Sequence, residues 1–278
     1  MPHVRYAACG FLLKERTVLL IKASHLTKYY HGVPAVKDVS FQVEDGSICA
    51  FLGPNGAGKS TTLKMLSGVL APSEGVAEIG GFSVTDAGMK ARARLGYLPE
   101  NPPVYPELTV REHLSFAAEL KGLSGAAAKR AVEEAEARLG LSDLSGRLTR
   151  NLSRGYRQRC AIAAAVLGSP EAVILDEPEA GLDPRQMTDV KELIREIGKS
   201  ASVLVSSHHI GEIADLCDRI VILSDGEVAA SGTPDELLSG YGDGAGERPV
   251  TQDPLLLRAW RSEALKGVFL KLTGGEDA

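Results

Sequence analysis

The sequence is short of cysteine, of positive charge and of long apolar runs, and each shortage removes a class of protein. Four cysteines in 278 residues, Cys9, Cys49, Cys160 and Cys217, stand singly with no C-x-x-C spacing. That pattern is neither a zinc site nor a disulfide framework, so they are expected to be reduced thiols that pack in the interior. No apolar stretch approaches the ~18 residues of a membrane-spanning helix. The longest candidates are short, such as Ala161 to Leu167, and the chain is not expected to cross a bilayer by itself. Ala7 to Leu13 resembles the core of a signal peptide, but Lys14, Glu15 and Arg16 stand where a small-residue cleavage site would be needed, so no export signal is read. Lys and Arg total 31 against 36 Asp and Glu, a net charge of -5. Mild acidity gives no general attraction to polyanions, and no nucleic acid partner is expected. Neither an internal repeat nor a sustained heptad pattern is visible, against solenoids and long coiled coils.

What is present is globular. Hydrophobic residues make up 44% and charged residues 24%, close to a soluble average, and the length allows one large domain or two modest ones. Thr17 to Ala23, Val39 to Val43 and Ser47 to Leu52 read as strands, the last an apolar run of the kind buried in a parallel sheet. A Gly-rich loop follows, then a helix from about Lys59. Pro99, Pro102, Pro103 and Pro106 break the chain, and Thr109 to Leu120 and Ala126 to Leu139 have helical composition. Further helices are expected over 157–167, 186–197 and 210–216. Strands are expected over 172–175, 203–206 and 220–223, the last closed by the Asp225-Gly226 hairpin signal. Alternating strands and helices indicate an α/β fold with a parallel sheet. Gly240 to Gly246 reads as a linker.

Gly53-Pro54-Asn55-Gly56-Ala57-Gly58-Lys59-Ser60 satisfies GxxxxGK[ST] between an apolar strand and a helix. The glycines let backbone N–H groups turn toward phosphate oxygens, and the helix N-terminus adds its positive end. Lys59 reaches the β and γ phosphates, Ser60 can ligate Mg²⁺, and Thr61 and Thr62 extend the anion contacts. Ala172 to Leu175 is an apolar strand that ends in Asp176 and Glu177. Asp176 can hold the metal through water. Glu177 can polarise an attacking water, or be only a solvated acid at a strand end.

Leu152-Ser153-Arg154-Gly155-Tyr156-Arg157-Gln158-Arg159 resembles the LSGGQ signature of ABC-type ATPases. With the phosphate loop, Asp176-Glu177-Pro178, Gly181-Leu182-Asp183-Pro184 and Ser207-His208 in order, the resemblance covers about residues 17 to 240. The chain is most similar to the ATP-binding subunits of ABC-2-type exporters, and the Gly-Tyr-Arg-Gln-Arg form of the signature also resembles those associated with gliding motility. That likeness implies a P-loop ATPase domain over 17–240 with a helical subdomain at about 100–160. It also implies a short extension over 1–16 and a linker and C-terminal docking helix over 241–278, where Leu265 to Thr273 is similar to a closing helix and Trp260 is expected to pack. ATP would lie between the phosphate loop of one subunit and the signature of a second, homodimeric or paralogous. Ser153 and Gly155 would then contact the γ-phosphate, although Ser153 also reads as an ordinary helix cap. Tyr30 matches the aromatic that stacks on adenine, His208 the histidine that senses the γ-phosphate, and Asp183 a residue at the subunit interface.

Three positions depart from the family pattern. Glu100 stands where many relatives carry a metal-contacting glutamine, and as a harder ligand it is expected to keep that contact. Arg154 replaces the first signature glycine, either adding charge near the opposing phosphates or pointing to solvent, and Tyr156 replaces the usual glutamine. The resemblance implies an ATPase with ATP and Mg²⁺, peripheral on the cytoplasmic face of the membrane and coupled to a separate multi-span permease. The alternative is a soluble ABC-type module in a mechanical or scaffolding role, such as cofactor assembly.

Overall fold

The computed structural model describes residues 19–208, 210–242, 249, 251 and 253–275. The leader 1–16, the first two residues of the expected opening strand, Cys9, His209 and linker positions 243–246 lie outside the described residues. The chain begins with an antiparallel pair, β1 (Leu19–Tyr30) and β2 (Val33–Glu44), joined by His31-Gly32 with φ of 50° and 81°. A two-residue loop with positive φ at both positions suits the right-handed twist of a hairpin. β3 (Ile48–Leu52) is buried along its whole length and leads through the glycine loop into α1 (Lys59–Leu66). β4 (Glu74–Ile79), β5 (Phe82–Ser83), α2 (Gly88–Ala93) and β6 (Leu95–Leu98) follow.

The helical segment comes next, with α3 (Val110–Leu120) and α4 (Gly125–Arg138) ahead of α5 (Arg154–Val166). The remainder alternates: β7 (Ala172–Leu175), α6 (Pro184–Gly198), β8 (Ser202–Ser207), α7 (Ile210–Ile213), β9 (Arg219–Ser224) and β10 (Glu227–Gly232), closed by α8 (Pro234–Tyr241) and α9 (Pro254–Thr273). Caps set several helix starts. Thr109 and Glu112 form a capping box on α3, Thr233 and Glu236 one on α8, and Asp183 accepts from Gln186 N–H ahead of Pro184 on α6. Ser153 caps α5 in the same way, which is why that helix starts at Arg154, three residues earlier than its composition indicates.

Two sheets result. One is antiparallel, in the order β2-β1-β4-β5; the other runs β10-β9-β3-β8-β7-β6 and is parallel except for β10. The parallel sheet is buried on both faces. Cys49, Phe51, Ile174 and Leu204 pack toward β1, β2 and α1, with the Phe41 and Phe51 rings 5.0 Å apart. Ala50, Leu52, Val173 and Val203 on the other face meet the helices. The antiparallel sheet was not expected as a unit, because β4 carries two glutamates and a glycine and shows no strict alternation. Gly240 lies within α8 and not in a linker, and α7 stops three residues short of Leu216. The last helix starts at Pro254 and buries Ala264, Leu265, Val268 and Phe269 against its own domain, where α7, α8 and β9 meet it; Trp260 is half-buried. Cys49, Cys160 and Cys217 are buried free thiols, and burial pushes the first two up to about 12.

Candidate active site

Register places the chemistry. β8 lies between β3 and β7, with Leu52 opposite Ser207 and Leu175 opposite Val205. The glycine loop after β3 and Asp176 after β7 therefore leave the same sheet edge on either side of the end of β8. Within the loop, a Cβ on Gly53 would stand 2.7 Å from Leu223 O and one on Gly58 2.7 Å from Ala35 O, so backbone packs where any other residue would collide. Gly58 also has φ of 97°. The turn closes with Ala57 N–H on Pro54 O, and Lys59, Ser60 and Thr61 form the first turn of α1, where N–H groups have no carbonyl within the helix. Asn55 and Gly56 are exposed at the tip.

Lys59 is buried and its Nζ donates to Gly53 O at 2.7 Å and Pro54 O at 3.1 Å, 3.5 Å from Glu177 Oε1. Asp176 is 1% exposed, and its Oδ1 accepts from Ser206 Oγ at 2.7 Å and Ser60 Oγ at 3.3 Å. Burial raises its pKa, opposed by the hydroxyl hydrogen bonds of Ser206 and Ser60. Its second oxygen, Oδ2, is buried without a hydrogen-bond partner. A buried carboxylate oxygen left open beside a serine hydroxyl at a phosphate loop suits Mg²⁺, which takes one or two protein oxygens and completes its shell with phosphate and water. No cluster of three or more His, Cys, Asp or Glu suited to a metal occurs among the described residues.

Glu177 is buried, with φ of 48° in the left-handed region. That conformation costs ~1–3 kcal/mol in a residue with a Cβ, and its neighbours hold it. Its N–H donates to Ser206 Oγ at 2.9 Å, its carbonyl accepts from Ala180 N–H, and Oε2 lies 2.7 Å from His208 Nδ1. His208 thus sits beside the Glu177 carboxylate. Ser206, which contacts both acids, escaped the sequence reading; its signal was a pair of serines ending an apolar strand.

The other expected site residues lie apart from this centre. Tyr30 is 44% exposed at the end of β1, with Lys28 Nζ 6.0 Å from its ring centre, on the hairpin whose second strand brings Ala35 against Gly58. Glu100 is exposed just beyond β6, and no hydrogen bond joins it to Asp176 or Ser60. Burial and the charges of Asp176 and Glu100 raise Tyr97 between them to about 12. Ser153 and Gly155 line a separate pocket of about 260 Å³ with Asp183, Arg185, Gln186 and Asp189. Arg154 is exposed and does not line that pocket, and its Nη2 donates to Ala180 O at 3.0 Å. Tyr156 is exposed, with the Arg159 guanidinium 5.5 Å from its ring centre.

Residues 36–180 match the family model described as ABC transporter. The chain is 34% identical to the linearmycin resistance ATP-binding protein LnrL of Bacillus subtilis (strain 168), over 80% of this chain and 72% of that protein. It is 36% identical to the lipopolysaccharide export system ATP-binding protein LptB of Acidithiobacillus ferridurans, over 79% and 92%. Among solved structures it resembles an ATP-binding subunit of an ABC transporter, with TM-score 0.76 and 33% identity over 91% of this chain and 99% of that one. It also resembles a dimeric ATP-binding cassette in a post-hydrolysis state bound to ADP and Pi, with TM-score 0.69 and 26% identity over 77% and 98%.

Proposed function

Since the chain belongs to the ABC transporter family, as an ATP-hydrolysing motor subunit of a membrane transporter, we propose that it drives an exporter through two composite sites formed by head-to-tail pairing. The observation that carries the assignment of roles is the junction of Lys59, Ser60, Asp176, Glu177 and His208 at one sheet edge. Gly53 to Thr61 cradle the triphosphate, Lys59 neutralises its β and γ oxygens, and Tyr30 stacks on the adenine. Ser60, Asp176 and Glu100 would hold the magnesium ion. When bound, such an ion would supply positive charge against that developing on the phosphate oxygens. Glu177 accepts the proton of the attacking water, and His208 fixes that carboxylate through Nδ1 and reports the γ-phosphate. Ser153 and Gly155 present the N-terminus of α5 to the nucleotide of the partner subunit.

The permease docks on a cleft of about 170 Å³ between the Pro99–Tyr105 segment, α3 and α5. It is lined by Tyr105, Phe116 and Leu120, exposed by 43%, 40% and 72%, large apolar groups that suit an amphipathic helix of a membrane protein. No helix among the described residues is long and apolar enough to cross a membrane, so the spanning part is assigned to that separate subunit, which holds this chain on the cytoplasmic face. Export direction and drug-like or lipid cargo rest on the relatives named for linearmycin resistance and lipopolysaccharide export. The gliding-motility likeness rests on the Gly155 to Arg159 form of the signature alone.

The test is Glu177→Gln. It should keep ATP binding, lower kcat by ~10²–10⁴-fold, the range of a lost general base, and accumulate an ATP-bound dimer on size exclusion. Wild-type turnover would remove Glu177 from its role. Purification from detergent-solubilised membranes should recover a multi-span protein in stoichiometric amount, whereas a purely soluble complex would favour the scaffolding alternative.

A further inference from the structure

Arg154 and Gln158 stand at i and i+4 on α5 and so project from one face of that helix. That face grips the segment after β7. Arg154 Nη2 donates to Ala180 O at 3.0 Å, and Gln158 Nε2 donates to Pro178 O at 2.8 Å. The two carbonyls belong to a tight turn, closed by Ala180 N–H on Glu177 O at 3.0 Å and continued by Leu182 N–H on Glu179 O at 3.1 Å. The turn starts on the left-handed Glu177, whose own N–H is held by Ser206. Ser206 fixes one side of that residue and the two donors of α5 fix the other. Gly181, with φ of 66°, follows the turn, its Cα beside the Arg154 guanidinium.

Arg154 sits between Ser153 and Gly155, the two residues assigned to the nucleotide of the partner subunit, yet it reaches back to its own chain. We propose that Arg154 is a positioning residue acting within one subunit: it ties the signature turn to the loop that carries Glu177, so that occupation of the signature by the partner's nucleotide steadies the water-polarising carboxylate of the other site. The inference rests on the head-to-tail reading given above. Under it, the arginine in place of the first signature glycine is a mechanical link and not a phosphate ligand.

Kinetics of pure and mixed dimers test this. Arg154→Ala should lower kcat about tenfold, within the loss that a small misplacement of a reacting group produces, while the KM for ATP stays within about twofold. Arg154→Lys, which keeps one donor, should restore most of the rate. Two mixed dimers then separate the directions, each compared with wild type paired with Glu177→Gln. When Arg154→Ala is paired with Glu177→Gln, the only working carboxylate lies on the chain lacking the arginine, and turnover should be slow. When the double variant Arg154→Ala/Glu177→Gln is paired with wild type, the working carboxylate lies on the intact chain while its γ-phosphate meets the altered signature, and turnover should match the reference. The reverse order would make Arg154 a contact to the opposing phosphate and overturn the proposal, as would equal slowing of both. Failure of Glu177→Gln to dimerise with ATP on light scattering would instead remove the head-to-tail reading, and the proposal with it.

Discussion

Ser206 is the residue on which the Asp176–Glu177 edge converges. One hydroxyl donates to Asp176 Oδ1 and accepts from Glu177 N–H, and it does so inside a fully buried strand. Ser206→Ala removes almost no volume but leaves a buried carboxylate oxygen with one weaker contact, to Ser60 at 3.3 Å, and a buried N–H with none. Stranding such groups costs ~1–3 kcal/mol in stability. Because the stranded N–H belongs to the left-handed Glu177, kcat should also fall, by about tenfold or more, with little change in ATP affinity. Denaturant unfolding and steady-state kinetics check both; unchanged kcat with lowered stability would confine Ser206 to a packing role. The phosphate loop, Asp176 and Glu177 were legible in the sequence because their chemistry is written in contiguous residues after an apolar strand. Ser206 and the Arg154 contact were not, since each partner lies on a different element and only the parallel register of β7 and β8 or the face of α5 brings them together.

Elements were legible where period and composition agreed. β3, β7, β8 and β9 are short apolar runs that the parallel sheet buries on both faces, and the sequence reading placed each within a residue or two. β4 and β6 were missed because β4 is half polar and β6 has only four residues, one of them a glycine; pairing with neighbours makes them strands, not propensity. Helix–helix seams carry a titratable group that no pattern reveals. Lys121, just past α3, donates to Ala165 O at 2.5 Å and Leu167 O at 3.0 Å at the end of α5, and burial lowers its pKa from 10.5 to about 8. The folded chain thus gives up this proton near pH 8 and the unfolded chain near pH 10.5, so between those values the unfolded state binds more protons. Stability from this group therefore rises with pH across that window, by an amount that solvent screening of this partly exposed side chain reduces. The buried thiols of Cys49 and Cys160 and the Tyr97 hydroxyl, raised to about 12, lower stability over the same range in any variant that keeps them. Urea unfolding at pH 7.5 and pH 10 should therefore show wild type gaining stability relative to Lys121→Met; equal slopes for the two would place the lysine's charge elsewhere.

For the whole molecule, α5 is the continuous part. Its first turn carries Ser153 and Gly155, its next face holds the Glu177 loop through Arg154 and Gln158, and Ala161, Ala164 and Ala165 floor the apolar cleft opposite α3. A rigid helix that touches signature, catalytic loop and cleft can pass a displacement at one to the others without a chain of soft contacts. His113, buried beside Tyr105 at a ring separation of 5.8 Å, has its pKa lowered by burial, with Nδ1 buried and unpartnered behind the cleft wall. The cleft lining is mainly apolar, with Tyr97, Tyr105, His113 and Lys121 the residues that carry polar side-chain atoms. Leu120→Glu and Phe116→Glu place charge on side chains that are already largely exposed, so folding should change by no more than about 0.5 kcal/mol. The purified subunit should keep its ATP turnover, because neither residue approaches the phosphate loop or Glu177. In membranes the same variants should lose the multi-span partner on affinity purification and any transport-coupled stimulation of turnover. Retention of the partner at wild-type stoichiometry by both variants would move the docking surface off this cleft and cut the mechanical path through α5 at its outer end.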